Sequence, residues 1–488
     1  MAAPSQIAAC LGLALLVVVP ACQRPIRAEE ADKSPKAADS AQRDSETAPS
    51  RVVPAPANDG ADWPGFLGPT GDGKSPEHCI HLPWPTDGPP LVWQTKIAEG
   101  YAAPSVSQDR LYLFDRHRDQ NRLRCLESRT GHPIWEFLYA TQYEDPYGYS
   151  NGPRCCPVID GDRVYLLGAE GILHCVRTKD GHVVWKCDTV ALFGVVPNFF
   201  GVGSTPVIEG DLLIAQVGGV TDPQGQPPGA VDPARNNGTA IVAFDKHTGE
   251  VKYRAGEELA SYASPVMATI DGRRWGFVFA RGGLIGFEPA TGKIDFHYPW
   301  RASIAESVNA SNPVVVGNEV FISETYGPGS SLLAVRPGGF TVVWRDDRKK
   351  REKAMQTHWN TPIYHDGYLY GCSGRHKENA ELRCIEWKTG KVMWSRADMT
   401  RSTLTYVDGH FICLGEYGTL WLIRATPKKC EIVAELPLNN DTAVPAHRLL
   451  LWPAWAPPVV SHGLLYVRGK NRLVCLDLAA TAAKPAAH

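Results

Sequence analysis

Short apolar runs separated by glycine-bearing turns recur along the chain. In ILHCVRTKDGHVVW, residues 172–185, one run holds the small residue Cys175, an Asp-Gly turn follows, and a second run ends at Trp185. Similar segments place a small residue ten positions before an aromatic one; the small residues are Cys125, Cys175, Ala243, Gly286, Ala334 and Cys384. A weaker copy surrounds Leu422, and a truncated copy surrounds Cys475. Eight copies at a period of roughly 40 to 70 residues indicate a repeat architecture.

Each copy extends backwards into a meander of four short strands. A small residue and a proline precede an alternating apolar run; the prolines are Pro104, Pro157, Pro206, Pro265, Pro313, Pro362 and Pro458, and residues 402–404 take their place in the seventh copy. Short strands joined by Gly-bearing turns form antiparallel sheets, and no copy holds a helical apolar period long enough to cover one. The pattern therefore predicts an all-β fold, an eight-bladed β-propeller of four-stranded antiparallel blades.

The two ends of the repeat region complement each other. The last copy lacks an outermost strand, whereas PLVWQTKI around Trp93 is an unpaired strand ahead of the first copy. We expect the Trp93 strand to pair with the strand that holds Cys475. This pairing would close the ring and leave only short, protected edges.

Two motifs resemble a known family. The repeat small-x-Asp-x-x-Thr-Gly-x-x-x-aromatic, best seen in residues 243–253, resembles that of the pyrroloquinoline-quinone (PQQ) type propellers. That superfamily holds quinoprotein alcohol dehydrogenases and non-catalytic relatives such as the BamB-type outer-membrane assembly lipoproteins. Trp63-Pro64-x-Phe66-x-Gly68-Pro69 resembles the opening of exported bacterial BamB-like proteins. The resemblance covers about residues 62–478 and implies the fold, but the repeat residues are structural and do not imply an activity.

The N-terminal region predicts an exported protein. Residues 7–21 are apolar and uncharged and end in a small residue before Cys22, which resembles a bacterial lipobox. We expect a signal peptide over 1–22, either acylated at Cys22 or simply cleaved, a disordered tether over 23–61, the propeller over 62–478 and a disordered tail over 479–488. The protein would be periplasmic, with membrane contact only through an N-terminal lipid anchor. A net charge of −2 gives no basic field for nucleic acid.

The thirteen cysteines do not predict a disulfide framework. Cys125, Cys175, Cys384 and Cys475 occupy the small slot of the repeat, and we expect four buried thiols. Cys155 and Cys156 are adjacent. They are either two small residues at the mouth of an inner strand or, as the family resemblance implies, a vicinal disulfide that floors a cofactor pocket.

Loop lengths differ between the two faces of the predicted disc. First-to-second and third-to-fourth strand turns are short, whereas the connections on the other face include long ones such as 139–154, 345–360 and 436–455. Binding concentrates in loops on a rigid scaffold. The candidate binding residues on this long-loop face are Tyr149, Arg154, Cys155, Cys156, Asn312, His358, Trp359, Arg375 and His376. The alternative for the two arginines is that they only pair with loop carboxylates such as Glu144 and Glu378.

No catalytic or metal motif stands out. Glu306, Asn309 and Asn312 offer oxygen ligands, but their spacing matches no calcium loop, and His358 and His376 match no zinc spacing. One hypothesis is a non-catalytic propeller of the bacterial cell envelope, without a cofactor, that binds an envelope protein or a polar small ligand. The alternative is a PQQ-type alcohol dehydrogenase with PQQ and calcium, although the chain has no c-type haem motif.

Overall fold

A computed structural model describes residues 60–78, 80–82, 84–85, 87–224, 235–439 and 448–479. Within these residues, eight four-stranded antiparallel sheets form the blades of a β-propeller, which confirms the predicted fold. No helix in the described part of the chain is long and apolar enough to cross a membrane. The predicted signal peptide with Cys22, nearly all of the predicted tether and most of the predicted tail lie outside the described residues.

The blades follow one another along the chain. Blade 8 takes its outermost strand, β1 (Leu91–Lys96), from the start of the propeller. Blade 1 holds β2 (Ser105–Ser107), β3 (Arg110–His117), β4 (Gln120–Glu127) and β5 (Pro133–Ala140). Blade 2 holds β6 (Val158–Asp160), β7 (Arg163–Leu167), β8 (Ile172–Arg177) and β9 (Val183–Asp188), and the short helix α1 (Thr189–Phe193) follows. Blade 3 holds β10 (Val207–Glu209), β11 (Leu212–Gln216), β12 (Ile241–Asp245) and β13 (Val251–Ala255).

The remaining blades repeat this order. Blade 4 holds β14 (Val266–Ile270), β15 (Arg273–Phe279), β16 (Gly283–Phe287) and β17 (Ile294–Pro299). Blade 5 holds β18 (Val314–Val316), β19 (Glu319–Glu324), β20 (Gly329–Arg336) and β21 (Gly339–Arg345). Blade 6 holds β22 (Ile363–His365), β23 (Tyr368–Ser373), β24 (Glu381–Glu386) and β25 (Val392–Arg396). Blade 7 holds β26 (Ser402–Val407), β27 (His410–Gly415), β28 (Thr419–Arg424) and β29 (Glu431–Pro437), and blade 8 adds β30 (Val459–Ser461), β31 (Leu464–Arg468) and β32 (Arg472–Asp477).

The ring closes through the pairing predicted between the Trp93 strand and the strand that holds Cys475. Strand β1 pairs with β32 in antiparallel fashion, and Trp93 lies opposite Cys475. The first strand of the propeller therefore completes its last blade. A loss of either end of the repeat region would leave an open sheet edge.

The aromatic residue that ends a repeat wedges against the next blade. Trp93 donates its indole N–H to the carbonyl of Ser128 at 2.9 Å, and its ring lies over Gly131. Gly131 has φ of +71°, and a Cβ atom there would lie 2.8 Å from the ring. The Thr-Gly turn therefore needs glycine both for its backbone conformation and for this close approach.

The small slot lies between two aromatic residues of the same sheet. Cys175 is opposite Tyr165 on one side and Trp185 on the other. Cys125, Cys384 and Cys475 have the same two neighbours, and all four are buried free thiols. The repeat therefore uses cysteine as a small apolar residue.

Blade 5 departs from the repeat in its register. Ala334 lies opposite Thr341, and Trp344 lies opposite Leu332. The cause is a shorter turn between β20 and β21, which moves the bulge towards the start of β20. The spacing of ten residues is retained in the sequence, but it does not produce the same pairing there.

The segment before β1 crosses the central channel on the short-turn side. Trp63 pairs with Val106 through two backbone hydrogen bonds of 2.8 Å. Farther along, Ser75 donates its N–H to Tyr406 of blade 7, also at 2.8 Å. This N-terminal segment, residues 61–78, carries Phe66 between its two attachment points. The segment contains the Trp63-Pro64-x-Phe66 motif that resembles the start of BamB-like proteins. In the structure it divides the central channel.

Candidate binding site

A pocket with a volume of about 310 Å³ lies at the long-loop end of the channel. All eight connections between blades contribute to its wall; in chain order they supply Tyr101, Arg154, Phe200, Tyr262, Val308, Trp359, Arg401 and Trp455. Loops within blades 5 and 6 add Tyr326 and Arg375. Phe66 lines this axial pocket and also a second cavity of about 350 Å³, so the N-terminal segment separates the two spaces.

The wall of the axial pocket is largely aromatic. Trp455 lies 4.9 Å from Trp359 and 4.9 Å from Tyr101, measured between ring centroids. Tyr149 extends the row, 6.0 Å from Trp455 and 5.6 Å from Phe200. Aromatic side chains have few rotamers, so they provide a large apolar contact area and lose little conformational entropy when a ligand binds.

Aromatic side chains also surround the mouth of this pocket. Tyr147 is 54% exposed and Tyr149 is 49% exposed, both in the connection between β5 and β6. Trp452, 43% exposed, belongs to the connection between β29 and β30 and contacts Trp455. We call these three residues the aromatic rim.

Arg154 is held by its own loop. Its guanidinium pairs with Asp145 at 2.9 Å and donates to the carbonyls of Gly152 and Ser150 at 2.9 and 3.1 Å. The Asp145 side chain is fully buried. The alternative raised by the sequence therefore applies to Arg154, although its partner is Asp145 rather than Glu144.

Arg401 is similarly neutralised. It binds Glu416 through two hydrogen bonds, of 2.9 and 2.5 Å. Burial raises the pKa of Glu416, but the hydrogen bond and charge of Arg401, together with the indole N–H groups of Trp452 and Trp455, outweigh it and hold that pKa below its ordinary value. The Arg401 guanidinium also lies 4.7 Å from the centre of the Trp359 ring, a cation–π distance.

Arg375 differs from the other two arginines of the wall. It lies 4.4 Å over the ring of Tyr326, and among the described residues it forms no ion pair. Glu378, the partner considered from the sequence, contacts Lys377 instead, at 3.9 Å. The neighbouring His376 is exposed. Positive charge in this pocket is therefore concentrated at Arg375.

His358 is a neutral group. Its Nε2 lies 3.3 Å from the hydroxyl of Tyr326. Burial lowers the pKa of His358 to about 3, and the charges of Arg401 and Arg375 act in the same direction. His358 is thus a polar wall residue and carries no charge near pH 7.

Seven of the nine candidate residues line the axial pocket, namely Tyr149, Arg154, Cys156, His358, Trp359, Arg375 and His376. Cys155 is buried beside Cys156; the two are separate thiols, and burial raises the pKa of Cys156 to about 12. Asn312 lines the second cavity instead, and its Oδ1 accepts a hydrogen bond from the Ser264 N–H at 2.8 Å. Asn312 thus caps backbone between two blades.

A fixed position in the repeat identifies much of the pocket wall, including five residues that were not predicted: Tyr101, Gly203, Tyr262, Ala310 and Trp455. In all seven blades that begin with the repeat proline, the residue three positions before that proline lines the pocket; these residues are Tyr101, Arg154, Gly203, Tyr262, Ala310, Trp359 and Trp455. This position was available as a signal in the sequence. Arg401 follows the same rule, because the pairing of Thr405 with Ile412 matches that of Ile363 with Tyr370 and puts Leu404 at the proline position of blade 7.

The donor set does not suit a divalent cation. No Asp or Glu is among the residues that line the axial pocket in the described part of the chain. Glu306 is exposed, and the amide of Asn309 donates to the carbonyl of Ala280 at 2.7 Å. No cluster of three or more His, Cys, Asp or Glu side chains that could hold a metal occurs among the described residues. Calcium sites are built around carboxylate oxygens, and the lining of this pocket has three arginines and no carboxylate.

Comparison with known proteins assigns the family. The family model described as outer membrane protein assembly factor BamB matches residues 84–185 and 119–396, well over half of the chain. The chain therefore belongs to the PQQ-repeat β-propeller family that its motifs resembled. Comparison with curated proteins gives no match.

Two solved structures share the fold. BamB from Moraxella catarrhalis aligns over 80% of this chain and 99% of its own length, with 11% identity and a TM-score of 0.52. A quinohemoprotein alcohol dehydrogenase from Comamonas testosteroni aligns over 87% of this chain and 82% of its own length, with 13% identity and a TM-score of 0.58. Similarity at this level of identity shows a common fold and leaves the activity open.

Proposed function

We propose that this protein is a non-catalytic propeller of the bacterial cell envelope that binds a partner protein through its long-loop face. The observation that carries the proposal is the axial pocket together with the aromatic rim. The pocket can accept a few side chains, and the rim offers exposed aromatic area around it. Tyrosine, tryptophan and arginine are the residue types that dominate binding energy at protein interfaces.

Exposed apolar residues beyond the rim support a protein partner over a small molecule. Leu192 and Ile304 are 52% and 40% exposed on connections of the same face. A ligand inside the axial pocket would leave these residues uncovered, whereas a protein surface would cover them. The family name, outer membrane protein assembly factor, also favours a protein partner. Export through the predicted signal peptide, with a lipid anchor at Cys22, would place the propeller in the periplasm.

The alternative, a PQQ-type alcohol dehydrogenase, fits less well. Cys156 and Trp359 both line the axial pocket, which favours it. Such an enzyme, however, needs a calcium held by carboxylate and amide oxygens and an Asp base beside it. The wall supplies neither, since Asp145 and Glu416 lie outside the lining and are bound to the wall residues Arg154 and Arg401.

Site-specific photocrosslinking tests the proposal. We would introduce p-benzoylphenylalanine at Tyr147 in the aromatic rim and, as a matched control, at exposed Asp271 in a turn of the opposite face. After irradiation of intact cells, we expect one discrete protein adduct from position 147 and none from position 271. The adduct should weaken when Trp455→Ala removes a pocket wall. Adducts from both positions, or from neither, would contradict binding through the long-loop face.

A second measurement addresses the alternative. The purified protein would be incubated with PQQ and Ca²⁺, and dye-linked oxidation of primary alcohols would be followed. We expect no rate above that of the cofactor alone. A saturable rate that Trp359→Ala abolishes would replace the proposal with the dehydrogenase.

A further inference from the structure

The charges around the axial pocket do not balance. Two of the three guanidinium groups in its wall have buried carboxylate partners, since Arg154 pairs with Asp145 and Arg401 with Glu416. Arg375 has only the Tyr326 ring, and no acidic side chain lines the pocket in the described residues. The lining therefore carries an uncompensated positive charge.

A second arginine pair adds to this charge from behind the aromatic wall. Arg281 is 4% exposed and lies 5.5 Å from the centre of the Phe199 ring. Arg281 and Arg301 both donate to the carbonyl of Ala305 at 3.0 Å, and in the described part of the chain neither forms an ion pair. Burial lowers the pKa of Arg281 to about 10, so it stays charged at neutral pH. An unpaired guanidinium group in a partly closed site raises its potential for anions, and Arg281 contributes more than Arg301, on which the carboxylates of Glu258 and Glu324 act.

The apolar part of the site lies beside this charge. The rings of Trp359 and Trp455 are 4.9 Å apart and inclined by 46°, so they form an open corner rather than a closed stack. Arg375 and Trp359 line the same pocket. A ligand that carries a carboxylate next to an aromatic or large aliphatic group would use both features.

We propose that the axial pocket receives an acidic segment of the partner protein, in which an Asp or Glu pairs with Arg375 and a neighbouring aromatic side chain lies against Trp359 and Trp455. This inference rests on the proposed function and adds the chemistry of the occupant. Charge complementarity selects an acidic segment over a basic or neutral one, because a buried or half-buried guanidinium without a partner is costly to cover with uncharged groups.

Peptide binding tests the inference. The probes are acetyl-Gly-Phe-Asp-Phe-Gly-amide and its Asn analogue, titrated into the full-length protein by calorimetry. We expect the Asp peptide to bind about 10-fold more tightly, as one charge-assisted hydrogen bond would give. In Arg375→Gln this preference should fall below about threefold, while the exposed Arg345→Gln on β21 should retain it.

The outcomes separate this inference from the function on which it rests. Equal affinity of the two peptides for the native protein would overturn the inference, and crosslinking from position 147 would still support a protein partner. Tighter binding of 2-naphthoate than of the Asp peptide would also overturn it, because the occupant would then be a small aromatic acid. Absence of both peptide binding and crosslinking would overturn the proposed function as well.

Discussion

The contacts between blades and the axial pocket are built by different rules. Between blades, the same residue types recur at the same places, as in the packing of Trp93 on Gly131. In the pocket, one chain position recurs, three residues before the inner-strand proline, but its residue type changes; Tyr101, Arg154, Gly203 and Trp359 all occupy it. Repetition thus fixes the geometry of the ring, and variation at a fixed position gives its binding end a particular chemistry.

The largest expected effect is a loss of stability when a contact between blades is removed. Trp93→Ala removes a fully buried indole from the contact that closes the ring, and we expect a loss of about 4 kcal/mol in the free energy of unfolding. Urea unfolding and thermal melting would measure it. Ile134→Ala, on an exposed position of β5, is the control and should change the stability little. A loss below about 1 kcal/mol for Trp93→Ala would mean that closure does not depend on this wedge.

This difference also decides what could be predicted from the sequence. The propeller, its blade count and its closure follow from spacing and from the unpaired strand around Trp93, because repeated local signals reinforce each other. The charge state of the pocket could not be predicted. Arg401 directly precedes β26, whereas its partner Glu416 directly follows β27. No feature of the repeat pattern indicates that these two residues pair. Asn312 was placed with the binding residues, but its amide satisfies a backbone N–H in the neighbouring blade.

The buried carboxyl group of Glu324 should make the stability of the protein depend on pH. Glu324, at the end of β19, is 1% exposed; burial raises its pKa from 4.5 to about 7, although Ser307 and two backbone N–H groups oppose the shift. The folded protein therefore holds this proton to higher pH than the unfolded chain does. Its stability should fall as pH rises from about 4.5 to about 7 and then level off, by at most about 3 kcal/mol.

The variant Glu324→Gln has no proton to lose and should flatten this dependence. It should match the native protein near pH 4 and be more stable at pH 8, as measured by urea unfolding at pH 4, 6 and 8. Glu378→Gln, on an exposed loop, is the control and should keep the native slope. A native protein that gains stability between pH 5 and 7 through Glu324 would contradict this account.

The smallest expected effects separate two arginines of the same pocket. Arg154→Gln leaves Asp145 buried with only backbone N–H donors, from Tyr147 and Ser150, and should lower the free energy of unfolding by about 2 kcal/mol. Arg375→Gln removes no ion pair and should change stability by less than about 0.5 kcal/mol. Both variants would be compared with the native protein in thermal melting and in binding of the Asp peptide. Arg375→Gln should melt normally and bind poorly. A lowered melting temperature for Arg375→Gln, with peptide binding intact, would show that Arg375 holds its loop in place, as Arg154 does, and does not receive the ligand.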